Sequence, residues 1–75
     1  MNNTRREEID AAAKTMEELK NEVEAIAYAE REYFDDMPEN FQGTERGQRA
    51  DEVATELEDI AQELEDLLER LNECK

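Results

Sequence analysis

The chain has no histidine, no serine, one cysteine, one proline and two glycines. Without histidine, the side chain that titrates near neutral pH and most often binds metal is missing. The helical di-iron motif, which needs Glu-x-x-His, is excluded with it. The carboxylates show no calcium-loop spacing, so neither a metal nor a cofactor is expected. With no serine either, and no carboxylate set in an apolar pocket that would raise its pKa, the chain reads as non-enzymatic. The lone Cys74 excludes an internal disulfide. Long hydrophobic runs are also missing. No segment can span a bilayer and the N-terminus carries no apolar signal core, so the expected location is the cytosol. Basic residues are scarce: nine Lys and Arg stand against 23 Asp and Glu, for a net charge of −14. That balance excludes sequence-blind nucleic-acid binding and anionic membrane surfaces, both of which need clustered positive charge.

What remains is heptad-patterned. In the first half, Ile9, Met16 and Val23 form one column at seven-residue spacing, and Ala12, Leu19, Ile26 and Tyr33 form the next. A third column, Ala13, Ala27 and Phe34, is interrupted by Lys20. The second half repeats this with Ala50, Leu57, Leu64 and Leu71; with Val53, Ile60, Leu67 and Cys74; and with Ala54, Ala61 and Leu68. The spacing predicts two long α-helices, over about 4–34 and 45–73, joined by a turn over about 35–44. Two such helices fold back as one antiparallel, coiled-coil-like hairpin domain. A lone hairpin cannot cover three apolar columns on both helices. The expectation is therefore an all-α chain whose hairpins pair into a four-helix bundle, as a dimer or higher homo-oligomer. Its seam is expected at Leu57, Ile60, Leu64, Leu67, Leu68 and Leu71.

The boundaries carry chemical signals. Asn3 or Thr4 is the expected cap of the first helix, with Glu7 and Glu8 in its first turn. Asp35, Asp36 and the restricted step before Pro38 should end it. Pro38 to Gln42 suits a single helical turn, closed by Gly43 in a left-handed conformation. Thr44 then caps the second helix. Gly47 falls inside that helix's first turns, where glycine costs about 1 kcal/mol relative to alanine. It is either an imperfection or the mark of a close approach by backbone or ligand.

Two surfaces are candidates for binding. All four aromatics, Tyr28, Tyr33, Phe34 and Phe41, flank the only proline. With Arg31, Met37, Arg46 and Arg49 they place arginine forks and aromatic faces near the turn, a set suited to a protein partner or a small nucleotide-type anion. Local salt bridging and plugging of the bundle end would use the same residues. The second surface is acidic. Residues 51–75 hold ten acids and two bases, and no base lies between Arg49 and Arg70. Glu58, Asp59, Glu65 and Asp66 represent this face. Its charge spacing, about 3 Å along the helix, approaches that of a single DNA strand at ~3.4 Å. It suits either a solvated face or an imitation of nucleic-acid charge.

The run from Tyr33 to Gly47 reads YFDDMPENFQGTERG. It resembles a short motif of small acidic helical proteins of phages and integrated mobile elements. There, aspartate–asparagine–methionine–proline–glutamate–asparagine is followed by leucine–glutamine–glycine–serine. Here Asp36 replaces the first asparagine, Phe41 the leucine and Thr44 the serine. The resemblance covers about fifteen residues and implies a phage or mobile-element accessory protein. Such proteins often bind and block a host factor, including host defence components.

Overall fold

A computed structural model describes residues 2–75. It contains three helices, α1 (Asn3–Asp35), α2 (Glu39–Gln42) and α3 (Glu45–Asn72), with α1 and α3 packed antiparallel. The molecule is a rod measuring 59 × 14 × 12 Å. No strand occurs among the described residues. The helical hairpin expected from the heptads is the fold.

Helix α1 starts earlier than its capping residues suggest. Asn2, not Asn3 or Thr4, is the cap, and its side-chain oxygen accepts from the Arg5 N–H at 2.7 Å. Starting one residue earlier adds the Arg6 N–H to Asn2 carbonyl bond, and each added bond favours elongation once a helix exists. Glu7 and Glu8 consequently lie beyond the first turn, which holds no acid. At the other end, α1 stops at Asp35, and Pro38 starts the single-turn α2 in an extended conformation (φ −56°, ψ 145°).

Gly43 departs from expectation. Its φ of −82° and ψ of −4° are right-handed, and no described glycine has a positive φ. The chain reverses without a left-handed residue because two extended residues, Pro38 and Thr44, bracket α2. Thr44 caps α3 as expected, accepting from the Gly47 N–H at 3.3 Å.

Gly47 marks a close approach. It is buried, and a Cβ built there would lie 2.5 Å from the Phe41 carbonyl oxygen and 2.7 Å from the Gln42 carbonyl carbon. The α2 backbone therefore rests directly on the first turn of α3. Gln42 fastens the same corner: its amide donates to the carbonyls of Phe34 and Met37, both at 3.2 Å. It thereby gives the Met37 carbonyl a donor and adds a second to the Phe34 carbonyl, which also accepts from the Met37 N–H at 3.1 Å.

The core is made of small residues. Ala13 and Ala27 of α1 are buried against Ala50, Ala54, Ala61 and Leu68 of α3. Gly47, Ala54, Ala61 and Leu68 stand at seven-residue intervals, so the third column of α3 forms the seam within the hairpin. Short side chains let two helix axes approach closely. Leu68, expected between hairpins, is buried inside this seam instead. The larger apolar residues stay open: Leu19, Ile26, Tyr33 and Leu67 keep 44–56% of their exposure, and Leu57, Ile60, Leu64 and Leu71 are half-buried.

These open residues share one side. In each long helix the column containing Leu19 or Leu67 lies 100° from the buried column. Because the helices run in opposite directions, the two rotations carry both columns to the same face. The hairpin therefore has one apolar face, and its polar clasp lies on the other.

Candidate functional site

The polar face is closed by ion pairs between helices. Arg31 donates through Nη1 to Asp51 at 2.7 Å and through Nη2 to Glu58 at 3.0 Å and to the Thr55 hydroxyl at 3.1 Å. Its guanidinium lies 5.9 Å from the Phe34 ring centroid, where the ring's electron density favours a cation. Lys20 reaches Glu65 at 2.7 Å and keeps only 16% of its side-chain exposure. Lys75 closes the open end of the rod onto Asp10. The hydrogen bond to Glu58, followed by that to Asp51, drives the Arg31 pKa further above its ordinary value. The hydrogen bond to Glu65 raises that of Lys20 against the opposing effect of desolvation. Tyr28 is raised as well, chiefly by its hydrogen bond to Glu32.

Between these pairs lies a depression of about 500 Å³, floored by Ala27 and Ala61 and rimmed by Lys20, Arg31, Tyr28, Glu24, Glu58 and Glu65. Each of its cations already faces a carboxylate of the same rim. The depression therefore offers an anionic ligand no free positive charge.

The turn end is different. Tyr33, Met37, Pro38, Phe41, Thr44 and Arg46 line a shallow depression of about 250 Å³. A second, of about 430 Å³, adjoins it and shares Tyr33 and Arg46 with Glu30, Glu45, Arg49 and Ala50. Tyr33 is 46% and Phe41 54% exposed. Arg49 makes one long contact, 3.9 Å to Glu52 within its own helix. Arg46 makes no ion pair among the described residues.

The turn set predicted from sequence thus divides. Tyr33, Met37, Phe41, Arg46 and Arg49 come together. Arg31 and Phe34 do not join them: Arg31 is clasped to α3 on the polar face, with Phe34 half-buried beneath it. The acidic set divides too. Glu58 and Glu65 are tied to Arg31 and Lys20, whereas Asp59 and Asp66 point outward, Asp66 accepting from Gln62 at 3.1 Å. Sequence reading missed Asp51, Lys20 and Gln42. A signal for the first existed: Asp51, Glu58 and Glu65 are spaced by seven.

Groups of three or more His, Cys, Asp or Glu able to hold a metal ion are absent among the described residues. No described helix is long and apolar enough to cross a membrane. No protein-family model, curated protein or solved structure matches the chain.

Proposed function

We propose that the chain is a non-enzymatic binding protein whose aromatic turn end engages a partner protein. The observation that carries this reading is the exposure of Tyr33 and Phe41 on a corner that is held rigid. Gln42 ties that corner to α1, and Gly47 lets it rest on α3. Large aromatics on a preorganised surface lose little entropy on binding and are typical anchors of protein interfaces. The run that resembles phage and mobile-element proteins coincides with this corner. It contains both the residues that build it (Pro38, Gln42, Thr44, Gly47) and those it displays (Tyr33, Phe41, Arg46). By that resemblance, the partner is a host factor in the bacterial cytosol, a defence component among the candidates, which binding would block.

The nucleotide-sponge reading loses Arg31 to the clasp and keeps only Arg46 and Arg49, with Glu30 and Glu45 beside them. The acidic-helix reading keeps Asp59 and Asp66.

Affinity capture from bacterial host lysate tests these readings. Phe41 lies outside the heptad columns, so Phe41→Ala should abolish capture of the protein partner without changing helicity. Retained capture by Phe41→Ala, together with loss in Asp59→Lys plus Asp66→Lys, would move the site to α3. Release of a nucleotide from the captured protein in place of a protein band would establish the sponge.

A further inference from the structure

We infer that the apolar face of the hairpin is covered by a second copy of this chain, with both turns at the same end of the resulting four-helix bundle. The seam takes Tyr33 and Arg46, so the partner proposed above would meet the turn end through Phe41.

The face has the size for this. Its long and intermediate extents, 59 and 14 Å, span roughly 800 Å², the share that one partner contributes to a standard interface. Its apolar content runs from Ile9 and Leu71 at the open end to Tyr33 near the turn, about 36 Å of that length at ~1.5 Å per residue. Leu19, Ile26 and Leu67 stand 44–56% exposed along it. A second hairpin offers the same stripe at the same spacing, which makes the contact self-complementary.

Orientation follows from charge. Charged residues interrupt the stripe towards its ends, where Arg5 continues the column of Ala12, Leu19 and Ile26 at the open end. Glu30 continues the column of Ile9, Met16 and Val23, and Arg46 continues that of Val53, Ile60 and Leu67. The two line one depression near the turn with Arg49 and Tyr33. Neither Glu30 nor Arg46 makes an ion pair among the described residues.

Two symmetric arrangements present apolar face to apolar face. With turns at opposite ends, α1 lies beside α1 of the partner and α3 beside its α3. With turns at the same end, α1 lies beside the partner's α3. The bulk charge decides between them. Residues 51–75 carry ten acids and two bases, and residues 1–34 nine acids and five bases. Setting α3 beside α3 would align the two most acidic helices. Setting each beside an α1 separates them across the bundle diagonal.

The single native cysteine makes the test direct, because Cys74 is exposed at the open end. A nitroxide on Cys74 reports the distance between copies by double electron–electron resonance. Helix axes in contact lie about 8–10 Å apart. Labels at one end, on diagonal helices with their linkers, should therefore sit on the order of 20–30 Å apart. Labels at opposite ends would be separated by nearly the full 59 Å of the rod. Light scattering on the same sample should give twice 8.8 kDa. A second chain, Cys74→Ser with Asp36→Cys, moves the label to the turn and should again give the short distance, which guards against perturbation by the first label. A monomer, or an assembly larger than two, overturns the proposal. A dimer with the long distance from both label sites overturns the orientation.

Discussion

Gly47 shows how one residue decides the corner. In a helix interior, replacing glycine by alanine ordinarily adds about 1 kcal/mol of stability. Here the added methyl would meet the Phe41 and Gln42 backbone at 2.5–2.7 Å, and backbone cannot rotate away as a side-chain tip can. Overpacking of this kind costs about 1–3 kcal/mol. Gly47→Ala should therefore destabilise the hairpin by up to about 2 kcal/mol once the helical gain is subtracted, measured by urea unfolding. A stabilised variant would show that α2 moves off α3 without cost. Gln42→Leu addresses the same corner from the other side. It leaves the Met37 carbonyl without its donor and the Phe34 carbonyl with the Met37 N–H alone, and a loss of about 1 kcal/mol is expected in the same measurement.

Within each long helix, the deciding quantity is angle around the axis. Arg31 and Tyr33 are near neighbours in the chain, so sequence reading placed them in one site. Two residues along a helix are 200° apart, and the structure accordingly sets them on opposite faces. The two long helices, the turn and the cap at Thr44 were legible because periodicity and capping are local signals. Which of three apolar columns would close the hairpin was not legible, since all three have the same period. The choice depends on volume across the seam, where Ala27, Ala54 and Ala61 admit the closest approach, and on where Lys20 and Arg31 find acids. The clasp predicts a pH dependence with a definite sign. Lys20 is raised from 10.5 by its hydrogen bond to Glu65, and Tyr28 is raised from 10.0. A group raised on folding contributes fully below its unfolded pKa and loses that contribution as pH rises through the folded value. The melting temperature should thus hold through neutral pH and fall as pH rises above about 10.5. Lys20→Met should be less stable at pH 8 and show a shallower alkaline decline. An equally steep decline in that variant would remove the clasp as its cause.

At the scale of the whole molecule, the net charge of −14 opposes the compact rod. The repulsion is concentrated on the outer side of α3, where Glu52, Glu56, Asp59 and Glu63 are exposed and no described cation pairs with them apart from Arg49 at 3.9 Å from Glu52. The attractive pairs are of another kind: Arg31 with Asp51 and Glu58, and Lys20 with Glu65, touch at 2.7–3.0 Å. Salt acts unequally on these two sets. Screening reaches about 8 Å at 0.15 M, which suppresses repulsion between separated surface acids while leaving contact pairs largely intact. Raising ionic strength from 10 mM toward about 150 mM should therefore raise the melting temperature. Acidification toward the pI of about 4.2 should act in the same direction by reducing the charge itself. Leu64→Asp separates this long-range effect from the apolar seam. It adds one more negative charge to a half-buried position of the open face, where lost burial and an unpaired carboxylate both act against the fold. That variant should melt at a lower temperature at every salt concentration while keeping the upward slope with salt. A wild-type melting temperature that falls steadily over the same salt range would mean that the clasp outweighs the repulsion along α3, and the charge ordering argued here would have to be reversed.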